Sequence, residues 1–564
     1  MTSPAALLQN DLDLWAPVPW SGLPSPLVEA FERADWATVK SELQAQLDGI
    51  VTEGRFGRAL LQLVRQVPFG SDPILDRYRA TADIDHGDWD DIRRFFSLHE
   101  PPPVELIGLT KIVTAPVDCH SLPEAEPHHV EWFRAWEFPL RAAPGAFRHR
   151  MRRIYGRYPA ALWSYDYIST SRYLRYRSLH DAAFGAVSEA HAGRLPVARA
   201  LAREAQALGL EQEPLHRLAR DVEQLLPLAM GSTAVAPTLE VPALIASPTG
   251  LSPYGTVEFL YWLYPLVALT RDFDLLRACA MLAERVCARL TSPRGLLYAQ
   301  TWRVAAELSR PETRVGAIEL LPAILAQAQG AAPGLRALPE FLRGIVTPSE
   351  AAFALSERLA RRAGSVWLEI AALTWMVALN PTLPTARRLL RLMDVTGWRR
   401  PVLVPSDICA EAAIALVALG RRGSAIVELA TGTGRPSLIL AVSGRHLEDA
   451  SAPHDSRVVA AEALGRLETT HAREVLSRVA RGPDDIAPVA RRVLGSPVER
   501  ARLSEREAEV LDLAGKGLTN KQIARQLFLS PHTVARHLAN ARAKLGAANR
   551  TEAALKASSF PSKP

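Results

Sequence analysis

Apolar residues recur at three- and four-residue spacing along nearly the whole chain, a period that predicts helix after helix. The stripes are clear over Leu275–Leu290, Leu296–Leu308, Arg314–Gln329, Glu350–Ala363, Trp367–Leu379 and Ala386–Met393. Gly or Pro punctuates them at short intervals. No alternation of strands and helices is read along the chain. The expected fold class is therefore all-α, with an N-terminal α-helical repeat (solenoid-like) region over most of the length.

The last sixty residues carry the sharpest helix signals. Ser504 with Glu507 is a capping box, and Leu503, Val510, Leu511 and Ala514 form the stripe that follows it. Gly515 and Gly517 stop that helix. Thr519 with Gln522 is a second capping box, opening a short helix with Ile523, Ala524 and Leu527 on one face. Phe528 and Leu529 make a turn. Ser530 caps a third helix, with Pro531 at its first position and Val534, Leu538 and Leu545 at helical spacing, ending at Gly546. A fourth helix begins near Thr551. Packed as a unit, these helices leave the third with a polar, basic face of Arg536, His537, Asn540 and Lys544, which suits the DNA major groove.

Composition changes this picture only where charge is concentrated. The 564 residues carry a net charge of +6. Residues 515–557 hold eight Lys or Arg against the single acid Glu552. A basic end on a near-neutral body is the footprint of a nucleic-acid module. The four cysteines, Cys119, Cys279, Cys287 and Cys409, form no CxxC pair, and so few in a long chain fit a reducing compartment. The longest apolar run, residues 259–269, is too short to span a bilayer. The first residues lack a basic segment followed by an apolar one, so no signal peptide is expected and a cytoplasmic location is.

On the residues just described, the segment 503–553 resembles the LuxR/GerE-type DNA-binding domain. The matching positions include Glu507, Val510, Leu511, Gly517, Asn520, Ile523, Ala524, Leu527, Ser530, Thr533, Val534, His537, Asn540, Lys544, Leu545, Arg550 and Ala553. The resemblance implies a four-helix LuxR-type helix-turn-helix domain, with residues 521–527 as supporting helix, 531–545 as recognition helix and the fourth helix in dimer contacts. The expected DNA-binding residues are Lys521, Arg525, His532, Thr533, Arg536, His537, Asn540 and Lys544. Two positions depart from the family pattern. Ala535 stands where relatives usually carry a DNA-contacting Lys, and Ala539 where they often carry a contacting side chain. Arg536 lies about 100° further round the helix than Ala535.

Further upstream, the heptapeptide Val459–Gly465 is echoed by Val489–Gly495, thirty residues on, with a helix at 470–480 between them, and resembles a HEAT-type repeat. Residues 179–208 resemble a TPR-like hairpin turning at Gly193. Residues 351–401, ending MDVTGWRRP, resemble the helical-repeat region of large MalT-type LuxR regulators. The expected organisation is 1–115 helical; 116–230 helical with a basic, aromatic segment and the hairpin; 231–255 a linker; 256–495 helical repeats; 496–501 a hinge; 502–557 the helix-turn-helix domain; and 558–564 a tail.

Other candidate chemistry is sparse. No GxxxxGK[ST] occurs, so an ATP-driven switch of the P-loop type has no support. Residues 425–441 resemble the first motif of an S-adenosylmethionine-dependent methyltransferase, but Ala430 replaces the first glycine, and a glycine turn between two repeat helices is the favoured reading. Cys119, His120, His128 and His129 lack zinc spacing and read as a surface loop. No GxSxG or HExxH occurs, and no enzyme, metal or cofactor is expected. Residues 141–177 hold nine arginines, the single acid Asp166 and six of the eleven tyrosines. They read either as a solvated face with packed tyrosines or as a binding surface for an anionic ligand, in which Arg153, Tyr155, Tyr165, Arg172, Tyr173 and Arg175 are the candidates. The whole reads as a transcription regulator that binds double-stranded DNA as a homodimer, with a small-molecule or protein effector acting on the helical region. The alternatives are a helical scaffold tethered to DNA and an enzyme fused to the DNA-binding domain.

Overall fold

A computed structural model of the chain describes residues 12–20, 23–43, 58–98, 110, 114, 170–208, 214–231, 238–247, 250–421, 423–433, 435–467, 469–494, 505–515, 518–527, 529, 533–535, 537–538 and 541. All regular structure among them is helical. The chain forms two compact units, residues 1–435 and 436–564.

The first unit begins with α1 (Ser25–Glu32), α2 (Arg58–Val64), α3 (Pro73–His86) and α4 (Trp89–Leu98). Leu27, Val39, Leu60, Leu63 and Leu75 form its first core, edged by Trp20, Phe31 and Trp36. Next come α5 (Thr170–His191) and α6 (Leu195–Ala207), the hairpin expected at 179–208. Gly193 turns it at φ +74°, and a Cβ there would lie 2.8 Å from Thr396 Cγ2 and Val366 Cγ1. Glycine is needed both for the left-handed backbone and for that close approach. After α7 (Pro214–Ala229), a short helix α8 (Val241–Ala246) lies inside the stretch read as a linker. Buried Asp221 accepts from Glu240 N at 2.7 Å and Val241 N at 2.8 Å, capping α8 from another element. At its other end buried Arg58 donates to the carbonyls of Ile245 and Ser247.

The unit continues through α9 (Pro253–Val267), α10 (Phe273–Arg289), α11 (Pro293–Leu308), α12 (Arg314–Gln327), α13 (Pro333–Val346), α14 (Glu350–Ala363), α15 (Val366–Leu379), α16 (Leu383–Thr396), α17 (Ser406–Ala418) and α18 (Ser424–Thr431). The expected helices are all present, several starting slightly earlier because their caps do. Asp272 accepts from Leu275 N at 2.9 Å to open α10, and Thr382 accepts from Thr385 N to open α16. Most helices pack on the next in the chain, α16 instead lying between α15 and α18, and α9, α11, α13, α15 and α17 also pack on one another in turn, forming one layer. Large rings fill that layer: Tyr264 stacks on Trp302 at 5.5 Å, and Trp302 meets Trp367 at 5.5 Å. Beyond neighbour packing, Arg399 N donates to Ala229 O at 2.7 Å across 170 residues of sequence.

The second unit holds α19 (Pro436–Glu448), α20 (His454–Leu467), α21 (Thr470–Arg481) and α22 (Ala487–Leu494), followed by α23 (Glu505–Gly515) and α24 (Asn520–Leu527). The echoed segments fall on α20 and, over residues 489–494, on α22, which pack together. A Cβ on Gly465 would stand 2.4 Å from Val493 Cγ1, so the repeat glycine is where the helices meet. Arg457, 4% exposed, bonds Leu447 O at 3.0 and 3.1 Å and pairs with Asp484 at 2.5 Å, which holds the Asp484 carboxyl far below the usual carboxylate range. Residues 425–431, within the segment compared above with a methyltransferase motif, are helical and lie in α18.

Candidate nucleic-acid interface

The C-terminal domain is organised around one small core. Val510, Leu511, Leu513 and Ala514 of α23, Ile523 and Ala524 of α24, and Val534, Leu538 and Ala541 form it, closed by Leu518, Leu527 and Leu529. Residues 533–535, 537–538 and 541 are helical, and their buried members are spaced i, i+4, i+7, one stripe of an α-helix. Ala541 was not anticipated in the core. The 3.6-residue period would have found it, but alanine is an inconspicuous apolar residue.

The capping box at the start of α24 forms in both directions. Thr519 N donates to Gln522 Oε1 at 2.8 Å, and Gln522 N donates to Thr519 Oγ1 at 3.4 Å. These bonds satisfy backbone donors at the head of the helix and fix the angle at which the chain enters it. At its other end Leu529 N donates to Ala524 O at 2.9 Å, turning the chain toward the third helix. The third helix is held by its Val534, Leu538 and Ala541 stripe.

Of the candidate DNA-binding residues, Arg525 is exposed on α24, while Thr533 and His537 are half-buried at the edge of the third helix. Ala535, where the resemblance leads one to expect a contacting Lys, is exposed. Lys521 lies within α24, its side chain outside the described residues. His532, Arg536, Asn540 and Lys544 also lie outside the described residues, as do Arg153, Tyr155 and Tyr165 of the basic, aromatic segment. Arg172, Tyr173 and Arg175 belong to α5, but their side chains are not among those described, and Cys119, His120, His128 and His129 are outside them altogether. Among the described residues no three His, Cys, Asp or Glu side chains group as a metal site, and no helix is long and apolar enough to cross a membrane.

A short helix capped by a box, followed by a third helical segment docked by one apolar stripe, is the arrangement of a helix-turn-helix domain. Comparison with known proteins gives its kind. The family described as "Bacterial regulatory proteins, luxR family" matches residues 501–557, so the C-terminal segment is a LuxR/GerE-type helix-turn-helix domain. The chain is 34% identical over 90 residues to the transcriptional regulatory protein LiaR of Bacillus subtilis, covering 16% of this chain and 37% of that protein. It is 46% identical over 59 residues to the transcriptional regulatory protein LnrK of the same organism, covering 10% and 27%. A putative HTH-type transcriptional regulator of Mycobacterium bovis, Mb0914c, is 41% identical over 73 residues, 12% of this chain and 8% of that protein. The chain thus spans about a third of the first relative and less of the others. No solved structure matches it significantly.

Proposed function

We propose that the protein is a cytoplasmic, sequence-specific transcription regulator. In this reading its C-terminal domain binds double-stranded DNA as a homodimer on paired half-sites, and its helical region receives a small-molecule or protein effector. The observation that carries it is the Val534, Leu538 and Ala541 stripe. By turning that face to the core, it leaves the rest of the third helix for the groove, in a domain whose relatives are transcription regulators. Lys521, Arg525 and Lys544 are assigned to phosphates. Arg536 and Asn540, with His532, are assigned to base edges, and Thr533 and His537 flank them. No catalytic step is assigned to the protein.

The test is selection of genomic fragments by the full chain at two salt concentrations, followed by sequencing of what is retained. Enrichment of one inverted-repeat motif is expected. Salt-sensitive retention without a motif would reject sequence-specific regulation. It would favour a helical scaffold tethered to DNA, a reading that the exposed Ala535 would then explain.

A further inference from the structure

Residues 350–400 hold eight arginines against four acids. The structure shows where that surplus goes. Arg388 of α16 reaches across to Glu357 of α14 at 2.5 Å and also pairs with Glu369 of α15. Both glutamates are buried, so Arg388 spends its charge on the interior and, in doing so, joins the surfaces of α14 and α16. Of the remaining acids, Glu350 accepts from Asn380 Nδ2 at 2.9 Å, and Asp394 lies 3.7 Å from Arg399. On the neighbouring α13, Arg336 and Arg343 share the single carboxylate of Glu340, at 3.3 and 2.8 Å.

Arg358, Arg361 and Arg362 of α14 and Arg387 and Arg391 of α16, the two helices that the Arg388–Glu357 pair links, are all exposed. Among the described residues none of the five is in an ion pair, Arg361 acting on Glu369 only at longer range, whereas Arg336, Arg343, Arg388 and Arg399 are paired. Like charges on two helices linked in this way repel one another, so the arrangement costs stability that an anionic partner would return. Arg387 and Arg391 are one turn apart, about 6 Å along the axis, and a DNA strand advances about 3.4 Å per phosphate. Guanidinium groups bind phosphate oxygens in a fork, which suits a backbone better than a single buried ion. No aromatic side chain is exposed on α14 or α16 to anchor a peptide.

We infer that the exposed arginine face of α14 and α16 is a second, sequence-independent contact for the phosphate backbone of DNA. It lies in the first unit, in residues remote in sequence from the helix-turn-helix domain. The inference rests in part on the reading that this chain binds DNA, and the experiment separates the two.

Full-length protein carrying Arg387→Glu and Arg391→Glu, and separately Arg358→Glu and Arg362→Glu, is titrated with a duplex of about 40 base pairs of unrelated sequence across a salt series. Each pair is expected to weaken binding roughly tenfold at low salt and to reduce the slope of log affinity on log salt by about 1.8, the share of two phosphates. Arg387→Lys with Arg391→Lys keeps the slope, and thermal melting shows each variant folded. The comparator is Arg525→Glu in the terminal domain. If it weakens binding while both arginine pairs leave affinity and slope unchanged, the inference is overturned and the proposed function stands. If the arginine pairs weaken binding and Arg525→Glu does not, the inference stands and the terminal domain's proposed role falls. Loss of binding to polyglutamate with DNA binding unchanged would overturn the inference in favour of an acidic protein partner.

Discussion

The interior of residues 1–435 is built around large rings and buried charges, whereas the described core of the C-terminal domain consists of nine aliphatic side chains. In the first, Trp262, Trp302, Trp398, Tyr264, Phe341 and Phe353 are fully buried, alongside Asp221, Arg58 and His191. In the second, Val510, Leu511, Ile523, Val534 and Leu538 carry most of the apolar surface, and no ionisable group is among the buried residues. The difference follows from size. A domain of about sixty residues buries too little to compensate a desolvated charge, whereas a long helical stack can enclose one and use it to hold elements together. The two regions should therefore answer differently to the same kinds of perturbation.

The largest expected effect is in the helical body. Trp302→Ala removes the ring between Tyr264 and Trp367 and should cost about 3–5 kcal/mol. Calorimetry should show the main unfolding transition shifted down while binding to a selected DNA fragment survives. Loss of both together would mean that the two regions unfold as one. Leu511→Ala in the C-terminal core should cost about 2–5 kcal/mol, a large share of so small a domain's stability. DNA binding should disappear with most of the helical circular dichroism retained.

The next effect is one of pH, and it should be confined to the body. Burial raises the Asp221 carboxyl to about 7, against the two backbone N–H bonds that favour its charged form. With its folded value above its unfolded one, Asp221 contributes stability that is present below about 4 and lost as pH rises through about 7. Asp221→Asn should flatten that part of the profile. Melting temperatures of variant and parent that fall in parallel from pH 4 to 7.5 would remove Asp221 as the cause.

Smaller effects probe individual contacts. A Cβ on Gly295 would stand 2.0 Å from the Tyr261 hydroxyl and 2.8 Å from Cys287 Sγ, so Gly295→Ala should cost about 1–3 kcal/mol, partly recovered when Tyr261→Phe removes the oxygen. In the C-terminal domain, Thr519→Ala removes the cap of α24 and should cost about 1 kcal/mol, read as a lower midpoint for the loss of DNA binding on heating.

How much of this was legible beforehand depends on the distance over which each feature is specified. Helix positions were legible because a cap or a stop lies within a few residues of the stripe it bounds. Asp272 opens α10, Gly364 closes α14 in the left-handed conformation, and Thr519 and Gln522 open α24. The helix-turn-helix core was legible for the same reason, since Val510, Leu511, Ile523, Ala524, Val534 and Leu538 follow one period across three short, adjacent helices. What periodicity does not carry is which face meets which when the partners are far apart in the chain. Asp221 reads as a polar position on a helix until it is found capping α8, and Arg58 until it is found closing the other end. Gly193 reads as a hairpin turn, but the side chains pressed against it belong to Val366 and Thr396. Five arginines on α14 and α16 read as ordinary solvated positions until Arg388 draws their helices together. The sequence by itself determined most of the helices and the terminal DNA-binding domain, because caps, stops and amphipathic stripes act within a few turns. Only the tertiary structure decided the pairing of distant faces, because that depends on the fit of surfaces and the burial of charges that no local pattern encodes.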